Sequence, residues 1–126
     1  MTACGEATPK DPDITAGRTV FGNCAPCHGR EGEGGVGPSL HSVVETFPDC
    51  ETHLRWISLG SQRWKDEVGD GYGTNNIPIK GAMPAFDTLS EHDRRLVAFY
   101  ERVTFGGADP ETERAACRLT ETPPGS

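Results

Sequence analysis

Residues 24–28 read Cys24-Ala25-Pro26-Cys27-His28. Two cysteines three positions apart, near a helix end, can set both sulfurs along one edge of a planar macrocycle. The histidine that follows directly is then pinned beneath the centre of the ring. This is the spacing for covalent haem attachment, in which each thiol adds across one vinyl group and the His28 imidazole becomes the proximal iron ligand. Two other readings of the cysteine pair need surroundings that the sequence does not offer. Zinc wants a second ligand pair at matched spacing, whereas Cys50 and Cys117 stand alone and His41, His53 and His92 form no pair. A thioredoxin-like redox pair belongs in a βαβ context, and no such pattern surrounds residues 24–28.

Upstream, Ile14, Gly17, Phe21 and Cys24 recur at helical spacing, which predicts a helix over residues 13–27 with one packing face. Pro26 near its end agrees with a stop just before His28. Downstream, residues 29–48 hold Gly29, Gly32, Gly34, Gly35 and Gly37 with Pro38 and Pro48, a long irregular loop. Asp49 can cap a helix from Cys50 to Leu59 with Gly60 as its stop. Leu54 and Ile57 mark its inner face, and Trp56 lies at the edge. A weaker helical segment covers Gln62 to Glu67, and residues 69–88 return to loop. In the last helix, Ser90 followed by Asp93 makes a capping-box pattern. Leu96, Phe99, Tyr100 and Val103 keep the i, i+3, i+4, i+7 rule, and Gly106-Gly107 ends the segment. No internal repeat and no strand-length alternation appears. The expected fold is all-α, with three to four helices and long Gly/Pro-rich loops wrapped around one haem. Residues 1–12 read as a flexible leader, 13–107 as the folded domain and 108–126 as a polar tail bearing Cys117.

Composition agrees with a cofactor-centred core. Of 126 residues only 34% are hydrophobic, while Gly (16) and Pro (10) are plentiful. A buried macrocycle would supply the apolar area that the side chains lack. The formal charge is −7, from 12 basic and 19 acidic residues. No Lys/Arg cluster exists, which argues against nucleic-acid binding, and an acidic surface steers towards a basic partner. The longest apolar run, Leu96 to Tyr100, is far short of a membrane span. Met1-Thr2-Ala3 has neither the n-region nor the h-region of an export signal, so a leader is expected to have been cut away and Met1 added. Thr2-Ala3-Cys4-Gly5 resembles the end of a bacterial lipoprotein signal, with Cys4 either lipidated or an ordinary terminal cysteine.

Haem iron accepts a second axial ligand. Met83 is the only methionine besides Met1 and lies in Gly81-Ala82-Met83-Pro84-Ala85-Phe86, a loop with too many breakers for a helix core. A lone methionine is commonly a gap-filler. Here its loop, placed after the attachment motif and before the last helix, favours ligation. A thioether favours Fe(II), so His/Met ligation raises the reduction potential. His41 and His53 remain alternative ligands, and His92, on the polar side of the last helix's first turn, is expected to be solvated.

Taken in order, these motifs resemble the class I bacterial cytochromes c over roughly residues 13–105. Gly17 and Phe21 resemble the face on which that family's first helix crosses its last, with Leu96 and Phe99 on the partner face. Gly37-Pro38-Ser39-Leu40 resembles the family's Gly-Pro-x-Leu loop. The resemblance implies that the Pro38 carbonyl accepts a hydrogen bond from His28, and that Pro38 and Leu40 lie at the haem. Met83-Pro84 matches the ligand loop. Cys50 to Lys80 departs from the smallest members in length and tryptophan content. There Trp56, Trp64 and Tyr72 either wall the haem and reach its propionates or serve as core aromatics.

The family attaches haem outside the bacterial cytoplasm, where disulfides persist. Five cysteines less two leaves Cys4, Cys50 and Cys117. With a lipid on Cys4, Cys50 and Cys117 become a natural disulfide pair; the alternative is two buried thiols. The function so implied is a monomeric, extracytoplasmic one-electron carrier with a single haem c and no enzymatic activity, serving redox partners with basic docking surfaces. A subunit fixed in a membrane redox complex, or a haem enzyme or sensor with a displaceable Met83, are the alternatives.

Overall fold

Each longer helix begins where a short polar side chain closes its first turn, offsetting amides that have no partner inside the helix. Asp11 Oδ1 accepts from Asp13 N at 2.9 Å, Asp49 Oδ2 from Thr52 N at 2.9 Å, Ser90 Oγ from Asp93 N at 3.0 Å and Asp109 Oδ2 from Thr112 N at 2.9 Å. In a computed structural model describing residues 11–119, six α-helices follow: α1 (Pro12–Phe21), α2 (Ala25–His28), α3 (Val43–Thr46), α4 (Cys50–Glu67), α5 (Glu91–Tyr100) and α6 (Pro110–Ala116). A π-helical turn, Glu101–Phe105, continues α5. The fold is all-α, as expected, apart from a two-residue antiparallel pair that sets Gly71 opposite Pro78 and Tyr72 opposite Ile77. Cys4 and most of the expected leader lie outside the described residues.

Two boundaries differ from the sequence reading. The helix expected over 13–27 breaks after Phe21. Gly22 follows, and Asn23 turns its amide back to the Val20 carbonyl at 2.9 Å, competing for the acceptors that a longer helix would need. Pro26 therefore opens α2 rather than closing α1, in a first turn where its missing N–H costs nothing. Gly60 breaks the second helix as expected, with φ 72°, and the helical segment expected over Gln62–Glu67 follows it as the second part of α4. The expected tail contains α6, capped by Asp109 with Pro110 at its start.

The core forms where α1 crosses α5. A Cβ on Gly17 would stand 2.6 Å from Tyr100 Cβ and 2.7 Å from the Leu96 carbonyl, so only glycine permits the approach. Phe21, Tyr100 and Phe105 close around this crossing with ring centroids 5.1–5.6 Å apart. α6 is fastened to the domain at three places. Cys117 and Cys50 sulfurs lie 2.09 Å apart in a disulfide with Cα atoms at 5.3 Å. Fully buried Arg102 donates to Glu113 Oε1 at 2.5 Å and to the Phe47 and Pro48 carbonyls at 2.6 and 2.7 Å. Arg114 lies over the Phe99 ring at 5.0 Å and pairs with Asp11 and Asp13.

Candidate haem site

The break after α1 has a chemical consequence. It turns the chain so that Cys24 is buried and Cys27 half-exposed, while His28, at the end of α2, is only 8% exposed. These two are the unpaired cysteines among the described residues. Burial, and after it the charges of Glu101 and Cys27, push the Cys24 thiol up to about 12. A dithiol redox pair works through a lowered thiol; Cys24 is shifted the other way. Among the described residues, no group of three or more His, Cys, Asp or Glu side chains assembles to hold a metal ion.

The His28 ring is set by the glycine loop. Its Nδ1 stands 2.8 Å from the Pro38 carbonyl, which can only accept, so Nδ1 carries the proton and Nε2 keeps a free lone pair. The loop reaches that position because Gly37 N–H donates to the Cys27 carbonyl at 2.8 Å and Gly34 N–H to the His28 carbonyl at 2.8 Å. A Cβ on Gly37 would press to 3.1 Å from His28 Cε1. Leu40, half-buried against the core, closes the loop through its N–H to the Gly32 carbonyl at 2.8 Å.

Met83 is half-buried and also packs on the core. Its loop docks on the break in α4. A Cβ on Gly60 would meet Ala85 N at 2.6 Å and the Met83 carbonyl at 2.7 Å. Met83 N–H donates to Ser61 Oγ at 2.9 Å, Ser61 N–H to the Met83 carbonyl at 3.0 Å and Phe86 N–H to the Ile57 carbonyl at 3.1 Å.

Of the other histidines, His41 and His53 have partners of their own. His41 is exposed and bonds the Glu31 carbonyl at 3.2 Å; His92 is half-buried on the first turn of α5. His53 is 2% exposed, with Nε2 3.0 Å from Glu101 Oε1, its ring stacked on Phe47 and its Nδ1 without a partner. The sequence offered no sign of this His53–Glu101 pair, which joins residues 48 apart. Trp64 N–H is spent on the Gly71 carbonyl at 2.9 Å, which removes it as a donor to haem propionates. Trp56 stacks on Tyr72 at 4.5 Å and meets Trp64 edge-on at 5.3 Å.

The donor set suits a haem c: two thiols at attachment spacing, an imidazole with one nitrogen fixed and the other free, and a thioether on an anchored loop. The family model described as cytochrome C oxidase, cbb3-type, subunit III matches residues 12–100. The chain belongs to this cytochrome c family. The match spans this cytochrome c domain from α1 to the end of α5 and takes in Cys24, His28, Pro38 and Met83. The π-helical turn, α6 and Cys117 lie beyond it. No solved structure matches the domain.

Proposed function

We propose that this cytochrome c domain is a one-electron carrier with a single haem c, bonded through Cys24 and Cys27 and ligated by His28 Nε2 and Met83 Sδ. The observation that carries the reading is the His28 ring, fixed at Nδ1 by Pro38 beside the two unpaired cysteines. The haem supplies an iron that cycles between Fe(III) and Fe(II); the chain's residues bind it, orient its ligands and exclude water. Partner fixation of Nδ1 sets the imidazole's orientation and raises its basicity. With His28 and Met83 both holding the iron, a bound haem would offer no open position to a substrate, which supports a carrier rather than an enzyme.

Val36, 91% exposed, crowns the Gly35–Gly37 bend beside Cys27 and His28. An apolar tip at the attachment edge suits a brief, weak docking, and the charge of −7 favours a basic partner surface. The protein works as a monomer outside the cytoplasm, where the Cys50–Cys117 disulfide persists. A lipid on Cys4 would tether it there. The family's description favours a second reading, a relay fixed in an oxidase complex. No helix among the described residues is long and apolar enough to cross a membrane. A stable co-purifying oxidase core would support the fixed relay; a free monomer that exchanges electrons in solution would support the carrier.

The test is the absorption spectrum of protein from a host competent in haem attachment. A narrow α band on reduction is expected, with a weak near-infrared charge-transfer band in the oxidised form that Met83→Ala removes. A high-spin spectrum that responds to carbon monoxide or cyanide would transfer the reading to a haem enzyme or sensor. No haem bands at all would overturn it.

A further inference from the structure

In the loop carrying Met83, the residues on either side of it are open to solvent: Gly81, Ala82 and Pro84 are exposed. Yet both backbone groups of Met83 are held by one residue. Ser61 accepts from Met83 N–H through its hydroxyl and donates its own N–H to the Met83 carbonyl, and the hydroxyl lies 3.4 Å from the same carbonyl. Ser61 is 5% exposed, so water competes poorly for these bonds.

The arrangement follows from the α4 break. Gly60 leaves the helical ladder at φ 72°, so Ser61 starts a new run of helix and its N–H is an orphan donor. The Met83 carbonyl is its acceptor. The missing Cβ of Gly60 makes room for the Met83–Ala85 backbone to lie directly upon the break. The exposed Arg63–Asp87 pair at 2.8 Å adds little to this anchorage. Without the Ser61 hydroxyl, Met83 N–H would lose its partner, and the residue beneath the thioether would be held by its carbonyl alone.

We infer that Ser61 is the positioning residue that keeps the Met83 thioether on the iron. This rests on the reading of Met83 as axial ligand. A neutral thioether is a weakly held donor that other ligands can displace, so its occupancy depends on how firmly the loop presents it.

The test uses holoprotein of the wild type and of Ser61→Ala, Ser61→Thr, Ser61→Val and Met83→Ala. Thr and Val share one shape and differ in the hydroxyl. Cyanide capture by the ferric protein and hydrogen exchange of the Met83 amide should each accelerate about tenfold in Ala and Val, the factor of one lost hydrogen bond. The near-infrared band should vanish at a lower temperature in both and the midpoint potential should fall, while Thr should behave as the wild type. If the wild type lacks the band, or Met83→Ala leaves it unchanged, the ligand reading fails and the inference with it. A band lost in Met83→Ala, with wild-type cyanide and exchange rates in Ser61→Ala and Ser61→Val, overturns the inference alone. Thr and Val behaving alike would assign Ser61 to packing and overturn it too. Should Ser61→Ala fail to accumulate as holoprotein, the Thr–Val comparison decides.

Discussion

Arg102→Met tests whether α6 and the Phe47–Pro48 bend are tied to the core by a buried charge. The guanidinium is fully buried, and its three bonds go to Glu113 Oε1 at 2.5 Å, the Phe47 carbonyl at 2.6 Å and the Pro48 carbonyl at 2.7 Å. Methionine keeps much of the apolar stem and removes all three donors. Glu113, 7% exposed, would then be a buried carboxylate without its cation. Breaking one side of a buried pair costs about 3–5 kcal/mol. The stranded Phe47 carbonyl adds about 1–3 kcal/mol before local relaxation. Allowing for that relaxation, we expect a loss of about 4 kcal/mol, a large part of the roughly 5–15 kcal/mol available to such a domain. Adding Glu113→Gln removes the stranded charge, so the double variant should recover about 2 kcal/mol relative to Arg102→Met. The assay is guanidinium unfolding of the holoprotein, followed by tryptophan fluorescence, through the full double-mutant cycle. A loss below about 1 kcal/mol with no coupling is the behaviour of a solvated pair, and would refute the buried-pair reasoning.

Three further outcomes are expected. Cys50→Ala/Cys117→Ala should lower stability by about 4 kcal/mol on chain-entropy grounds, because the bond closes a sequence separation of 67; an unchanged midpoint, or two more titratable thiols in the unfolded wild type than in the double variant, would show that no bond forms. Gly17→Val should cost about 1–3 kcal/mol through overpacking, because its Cβ would stand 2.6 Å from Tyr100 Cβ; unfolding midpoints equal to the wild type would mean that α1 and α5 do not cross as described. The Asp49 carboxyl is held below its ordinary 3.8, first by the Thr52 amide and then, against opposing burial, by the Thr52 hydroxyl. A depressed folded-state value gives stability that is complete above 3.8 and lost as pH falls through the folded value. Asp49→Ala should therefore cost about 1 kcal/mol at neutral pH, and the difference from wild type should close well below 3.8; a constant difference would assign the effect to something other than the charged cap.

What the sequence made legible follows physical range. Caps act over three residues, so Asp49 and Ser90 could be read directly, and each closes its helix as expected. The α1–α5 crossing was expected from the family resemblance, carried by Gly17 and Phe21 on one helix and Leu96 and Phe99 on the other, and the structure packs α1 on α5 at Gly17. Attachment spacing and the methionine loop are equally local; the role of the Pro38 loop came from the family resemblance, and the structure brings Pro38 to His28. Gly22-Asn23, where α1 ends and the Asn23 amide turns back to the Val20 carbonyl, was present in the sequence too, but helical periodicity through Cys24 masked it. α6 carried only the signal Asp109-Pro110 followed by Thr112; with no apolar stripe it read as tail, because its burial depends on Arg102 and Cys117 rather than on a hydrophobic face. The Gly71–Tyr72 pairing with Ile77–Pro78 is too short to alternate and depends on the Trp64 indole. His53 had no local partner to reveal that its ring belongs with Glu101 and Phe47.

The two proposed iron ligands are held in unequal ways, and this bears on what the haem can do. His28 is the chain neighbour of Cys27, its ring is bonded at Nδ1, and even a Cβ on Gly37 would come to 3.1 Å from Cε1. A thioether bond at Cys27, one residue away, would leave it almost no freedom to depart. Met83 is hydrogen-bonded at its backbone only, and its side chain, packed on the core, spans three rotatable bonds to reach a metal. Any exogenous ligand must then come from the Met83 side, at a rate set by how often the loop leaves Gly60 and Ser61. A carrier and a ligand-binding haem protein can thus share the same attachment motif and differ in the seating of one loop. On this reading, Gly60 and Ser61 matter more to the choice between those functions than any residue between Cys24 and His28.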